Sequence, residues 1–313
     1  MDPLRLIAET DGYFTRAMAR DCGYSNREID AMHRQRTWLR FRHGYYTFPD
    51  LWEPLDEAGR HRIRCRAVMH ALGPRVALSH ISSIVMRGVD PWGYDLSRVH
   101  VTRLDNGAGR VEGDIVHHAA RIPTEDVVVH DGLAMTSVDR STIEAATQGD
   151  SEAALCLFNQ VLHAEMATID QLSVRFEAMA HWPRTQRLHI PIRMADPRSE
   201  SVGESRGNWF FRRYRIPAPV PQFEVYDADG VLRGTCDWGW PDHRQLGEFD
   251  GRVKYGRLLR PGQHAGDVVF AEKIREDELR EITGYGMIRL TWGDYDRPRL
   301  TVARLHRGLG IAS

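Results

Sequence analysis

The stretch LRGTCDWGWPDHRQLGEFDG, residues 232–251, decides how the C-terminal part of this chain is read. Leu232–Trp240 and Gln245–Asp250 have the character of two strands in a hairpin. Such a hairpin brings Asp237, late in its first strand, towards Glu248 on its second. Glu248 and Asp250 are two apart, so along a strand they point to one side. Crowded carboxylates repel and raise each other's pKa. A divalent cation between them relieves that repulsion. Hard oxygen ligands favour Mg2+ or Mn2+, and such ions activate water and stabilise the charge that builds up in phosphodiester cleavage. The expected metal ligands are therefore Asp237, Glu248 and Asp250. The same residues also read as ordinary hairpin acids with surface partners, Gly247–Gly251 being a strand end entering a turn.

Working outward, Ser199–Arg213 is expected as a helix and carries a further acid, Glu204. Gln222–Tyr226 reads as a strand, Ala271–Ile282 as a charged helix, Gly286–Trp292 as a strand and Arg299–Leu309 as a closing helix. Lys254 and Lys273 are the candidates for polarising the water or the phosphate. Lys273 also has Asp277 at i+4, the spacing of a plain helix ion pair.

The other end of the chain offers three helices and a hairpin in little space. Leu4–Glu9 and Arg16–Cys22 read as helices, the second capped by Thr15 and ended by Gly23. Ser25 and Glu28 have capping-box spacing, so a third helix runs from there to about Gln35. Trp38–Arg42 alternates in strand period, His43-Gly44 turns, and Tyr45–Phe48 returns. This is the layout of a winged helix-turn-helix. The third helix presents Asn26 and Arg27 together with Asp30 and His33, and it leaves Ile29 and Met32 for the core. A helix of this kind fits the major groove. Arg34, Arg36, Arg40 and Arg42 follow with no acid among them, a run suited to phosphate contact. Arg40 and Arg42 are expected on one face of the wing. A winged helix that binds protein, or an ordinary solvated basic face, is the alternative.

Between the two ends, helices are expected at Arg60–Leu72, Ser79–Met86, Ser137–Thr147, Ser151–Ala167 and Asp170–Ala180. Strands are expected at Val99–Thr102, Asp114–Val116 and Val127–Val129, with turns at Asn106-Gly107 and Asp131-Gly132. The organisation read from this is α+β: a winged helix-turn-helix over 1–50, an α+β middle domain over 51–196 and a C-terminal α/β domain over 197–313.

The 313 residues carry a net charge of -1, which argues against a protein that coats nucleic acid everywhere and leaves room for a local basic surface. No run approaches the roughly 18 apolar residues of a membrane helix, and Asp2, Glu9 and Asp11 interrupt any signal pattern at the N-terminus. A cytoplasmic protein with no membrane partner is expected. Cys22, Cys65, Cys156 and Cys236 form no Cys-x-x-Cys pair and read as buried free thiols. No histidine, including the His117-His118 pair, shows a ligand spacing.

Two resemblances rest on these residues. Gly12–Arg16, Gly23–Ser25, Arg27–Ile29 and the Trp38–Tyr46 wing resemble the N-terminal domain of AbiEi-type antitoxins. Ala77–His80, Val99–Thr102 and Thr136–Ser141 look like the middle region of the same proteins. Ser201–Arg206, Cys236–Trp238, Gly247–Tyr255 and Glu272–Glu276 are similar to the Vsr-like branch of the PD-(D/E)XK nuclease fold, a restriction-endonuclease-like architecture. This resemblance implies that Asp237 and Glu248 are metal-binding acids, with Glu204 in support, in a Mg2+-dependent endonuclease acting on DNA. It further implies a phage-defence or toxin-antitoxin setting, with a cognate toxin or other protein as partner. The usual lysine two positions after the glutamate is Asp250 here, which leaves Lys254 or Lys273 for that role. The alternative is a non-catalytic antitoxin and transcriptional repressor that keeps the nuclease fold as a scaffold.

Overall fold

The computed structural model describes residues 2–251 and 265–311, with side chains in the second stretch from residue 274 on. The chain is mixed α+β, and its described strands form three sheets. It divides into two units, Met1–Leu157 with Ala167–Ile190, and Phe158–Met166 with Pro191–Ser313.

The first unit opens with α1 (Pro3–Asp11), β1 (Phe14–Thr15), α2 (Arg16–Asp21), α3 (Asn26–Arg34), β2 (Leu39–Arg42) and β3 (Tyr45–Thr47). The caps expected from sequence are present. Thr15 Oγ1 accepts from the Met18 N–H. Ser25 Oγ accepts from the Glu28 N–H while the Glu28 carboxylate takes the Ser25 N–H at 2.8 Å. Ile29 is fully buried with Phe14, Trp38 and Tyr46, and Met32 packs against them. The strands pair in the order β1-β3-β2, all antiparallel. The two-residue β1 is an addition to the expected three helices and hairpin.

Next come α4 (Pro49–Trp52), α5 (Glu57–Leu72), β4 (Val76–Leu78), α6 (His80–Met86), β5 (Val99–Arg103), β6 (Arg110–Glu112), β7 (Ile115–His118), β8 (Val127–His130), β9 (Leu133–Thr136) and α7 (Val138–Ala146). The sheet order is β6-β7-β5-β4-β9-β8. The Asp131-Gly132 turn joins β8 to β9 with both residues at positive φ, as a two-residue hairpin requires. α5 packs Cys65, Val68 and Met69 onto Leu78, Val99 and Met135 of the sheet. Arg140 of α7 is buried between Asp126 at 2.9 Å and Glu144 at 2.8 Å. Helices α8 (Ser151–His163), α9 (Ile169–Ala178) and α10 (His189–Met194) follow. α8 stops short of the expected Ala167, since Glu165 turns left-handed and Met166 N–H bonds back to Val161.

The second unit contains α11 (Val202–Arg213), β10 (Val220–Tyr226), β11 (Leu232–Trp240), β12 (Gln245–Asp250), α12 (Ala265–Thr283), β13 (Gly286–Thr291), α13 (Trp292–Tyr295) and α14 (Pro298–Leu309). Its sheet runs β10-β11-β12-β13, with the first three strands antiparallel and β13 parallel to β12. Two cores flank it. One joins Phe210 and Phe211 of α11 with Trp238, Trp240, Leu290 and Leu305. The other joins Leu279 of α12 with Val225, Cys236 and Leu246. α11 approaches the sheet closely because two of its residues lack side chains. A Cβ on Gly207 would lie 2.4 Å from the Trp238 ring, and one on Gly203 would lie 2.0 Å from the Phe249 ring.

Cys65, Cys156 and Cys236 are buried free thiols as expected, and burial pushes Cys65 and Cys236 up to about 12. Cys22 departs from the expectation. It is exposed, because it follows the last turn of α2. No helix among the described residues is long and apolar enough to cross a membrane.

Candidate nucleic-acid interface and acid site

α3 is short, and only Ile29 is fully buried along it. Asn26, Arg27 and Arg34 are exposed on the helix, Arg36 is exposed in the turn after it, and Arg40 is exposed on β2. Among the described residues none of Arg27, Arg34, Arg36 and Arg40 has an acidic partner. The Arg34 Nε donates to the Asp30 carbonyl at 3.2 Å, which steadies it at the end of the helix. Arg36 sits at φ 59°, a left-handed turn that carries the chain from α3 towards the wing.

Three expected members of this surface are otherwise engaged. Asp30 pairs with Arg16 of α2. His33 is half-buried, with its ring nitrogen 3.5 Å from the Trp38 carbonyl. Arg42 pairs with Asp114, between β6 and β7, and its side chain is largely buried. The shared face of Arg40 and Arg42 is also lost. Arg40 pairs with Tyr46 and Arg42 with the adjacent Tyr45, so Phe41 is an extra residue on β2. A bulge of this kind breaks the two-residue alternation on which that expectation rested. Phe41 instead stacks on Trp52 at 5.0 Å.

The acids of the second unit gather at one end of its sheet. The β11/β12 ladder ends at the Trp238–Gly247 pair, although both strands continue. Asp237 and Glu248 are the next residue on each strand, at the point where the two part. There the Asp237 carboxylate accepts the Phe249 N–H at 2.6 Å, in place of a backbone carbonyl. The alternation of β11 breaks at the same residue. Cys236 belongs to the core under α12, whereas Trp238, two residues on, belongs to the core under α11. Across from Asp237 on β10, Gln222 sits at φ 48° and is absent from the ladder.

Each carboxylate then finds its own partner. Glu248 is buried and accepts from Arg275 of α12 at 2.8 Å, with Arg289 of β13 at 4.0 Å. Its neighbour Phe249 faces α11 instead. Glu204 is buried in the first turn of α11. It accepts from the Ser201 hydroxyl at 2.6 Å, the Glu200 N–H at 3.0 Å and Gln222 Nε2 at 3.0 Å. Burial holds its pKa above the ordinary carboxylate range against those three donors. Ser201 and Glu204 have the same capping-box spacing as Ser25 and Glu28, a signal in the sequence that reads Glu204 as part of a helix cap. Asp250 is half-buried at the end of β12, opposite Thr291.

Asp237 and Glu248 are thus brought to adjacent positions. Glu204 is held by its helix cap and by Gln222 of β10, and Glu248 is neutralised by guanidinium groups. Among the described residues no group of three or more His, Cys, Asp or Glu side chains is gathered where it could hold a metal ion. As the side chains stand, Arg275 occupies the Glu248 carboxylate that Mg2+ or Mn2+ would use. Lys254 lies outside the described residues, as does the side chain of Lys273 on α12.

A polar cluster that the sequence did not disclose lies in the first unit. His80 stacks on His118 with ring centroids 3.7 Å apart. His118 Nε2 is 2.9 Å from His100 Nδ1, which is also 2.8 Å from Gln148. Burial lowers His100 to about 4 and His118 to about 3, and it holds His80 well below its ordinary value. These imidazoles are neutral near pH 7, and their rings stack instead of aiming lone pairs at a common point. His80 occupies the first turn of α6 at φ 52°. Its members come from α6, β5, β7 and the loop after α7, so no local spacing announces them.

Comparison with known proteins returns no matching family model and no matching curated protein.

Proposed function

We propose that this chain is a DNA-binding protein whose N-terminal helices and wing hold duplex DNA. On this reading the C-terminal domain has a nuclease-type fold in a non-catalytic role, as in a transcriptional repressor of the antitoxin kind. The observation that carries the first statement is the set of exposed arginines, Arg27, Arg34, Arg36 and Arg40, on α3, the turn after it and the wing, without acidic partners among the described residues. Guanidinium groups of this kind contact phosphates and release counterions. The short α3, steadied by its capping box, has the dimensions of a helix that enters the major groove, with Asn26 and Arg27 in its first turn. The order α11-β10-β11-β12-α12-β13 supports the resemblance of the second unit to the PD-(D/E)XK architecture. The Arg275 pair at Glu248 and the helix-cap role of Glu204 favour the non-catalytic reading. The test is a gel shift with a short mixed-sequence duplex at low salt. Wild type should bind, and an Arg27→Gln, Arg40→Gln double variant should lose most of that binding. Equal binding by the two proteins removes the proposal.

Endonuclease activity is the second reading. It is favoured by the place of Asp237 and Glu248, side by side where β11 and β12 part. A supercoiled plasmid incubated with Mg2+ or Mn2+ separates the two readings. Nicking by wild type that disappears in Asp237→Ala supports the enzyme, and equal nicking by both proteins, or none by either, rejects it.

A further inference from the structure

The second unit holds a cleft of about 520 Å³ where α11 ends and β10 begins. That is within the size range of small-ligand sites. Three arginines line it. Arg198 is already neutralised, since its guanidinium lies on Asp196 at 2.7 and 3.0 Å. Arg212 and Arg215 are exposed and, among the described residues, have no acidic partner. The lining also includes the Asp196 carboxylate and the half-buried Pro219 and Pro221, over the core residues Phe211 and Ile216. Two unneutralised guanidinium groups beside two prolines suit a ligand with an anionic end and a flat hydrophobic body.

Two features show that the cleft is held in shape. Asn208 lines it, donating to Ser199 Oγ at 3.0 Å and accepting from Trp238 Nε1 at 2.8 Å. α11 closes with bonds from Ile216 N–H to Phe211 and from Arg215 N–H to Arg212, which puts Arg215 at φ 57°. Glycine is the usual residue at that left-handed position. An arginine there has a steric cost that glycine lacks. The carbonyl end of a helix carries partial negative charge. That field opposes an anion in this cleft, so any anion there depends on the Arg212 and Arg215 side chains.

We infer that this cleft binds a nucleotide, with the phosphate on Arg212 and Arg215 and the base against Pro219 and Pro221. Inorganic phosphate alone leaves the prolines bare, and a nucleoside alone leaves both guanidinium groups unpaired. A free nucleoside monophosphate and a nucleotide within a single strand share this chemistry. The site uses no residue of the α3 surface and does not depend on the duplex-binding proposal.

Isothermal titration of the full chain tests it. The probes are the four nucleoside monophosphates, the four nucleosides, inorganic phosphate, and a mixed-sequence single-stranded DNA without terminal phosphates. At least one monophosphate, or the single strand, should bind saturably and about tenfold or more tighter than the nucleosides and inorganic phosphate. The Arg212→Gln, Arg215→Gln variant should lose that binding while keeping the wild-type melting temperature and duplex affinity. Tighter monophosphate binding assigns a free nucleotide, and tighter oligonucleotide binding assigns a strand. Three results overturn the inference: no saturable binding by any nucleotide probe, undiminished binding by the folded double variant, or inorganic phosphate binding as tightly as the nucleotides.

Discussion

Arg275 reaches from α12 to the Glu248 carboxylate at 2.8 Å, and this pair decides the character of the acid site. Glu248 is buried, while Arg275 keeps about half of its side chain in water. Removing the arginine takes the 2.8 Å partner from a buried carboxylate and leaves Arg289 at 4.0 Å.

Arg275→Ala should therefore destabilise the chain by about 1–2 kcal/mol, less than a fully buried pair because the arginine is half-solvated. Glu248→Gln in the same background should recover part of that loss. A double-mutant cycle by urea unfolding reads the coupling. Strictly additive effects mean that the pair contributes nothing.

Acid should loosen the first unit. Burial depresses His100 and His61 to about 4 and His118 to about 3, against 6.5 for a free imidazole. A depressed histidine contributes stability that is complete above pH 6.5 and is lost as pH falls from there towards the folded pKa. For His100 alone the loss at pH 5 is about 2 kcal/mol. Around it stand His80, His118, Gln148, His61, Asp95 and Arg98, and none is placed to stabilise an added proton fully. Buried Glu144 has a raised pKa and so works in the opposite sense, within the carboxylate range. Melting temperature should hold above about pH 6.5 and fall from there to pH 5, and His100→Gln should flatten that fall. A melting temperature that does not change over this range contradicts the assignment.

Gly207→Ala should cost about 1–3 kcal/mol, because the new methyl meets the Trp238 ring at 2.4 Å and overpacks a finished core. The same variant should red-shift or broaden tryptophan fluorescence, since the buried Trp238 must move. A variant as stable as wild type, with unchanged fluorescence, rules out the close approach of α11 to the sheet.

Much of the local structure was legible because its determinants are local. The capping box at Ser25 and Glu28, the wing turn at Gly44, the Asp131-Gly132 hairpin and the strands Leu232–Trp240 and Gln245–Asp250 all follow from spacing and turn chemistry. β4, β6 and β9 were not legible. Two are three residues long, and Leu133-Ala134-Met135 favours helix as readily as strand, so pairing in the sheet decided them. The neighbouring positions of Asp237 and Glu248 could be read from the hairpin, but their partners could not. Arg275 and Arg289 arrive from a later helix and a parallel strand. Arg42 was expected with Arg40 and instead meets Asp114, 72 residues away. Glu204 carried its own signal in Ser201, three residues before it, which spacing alone discloses.

The salt dependence of duplex binding tests the central claim most directly. If Arg27, Arg34, Arg36 and Arg40 each neutralise one phosphate, log K against log salt concentration should fall with a slope of about −3.6. Replacing Arg27 and Arg40 with glutamine should halve that slope and weaken binding to all sequences alike. Absence of duplex binding at low salt, or a slope unchanged in the folded double variant, contradicts the account.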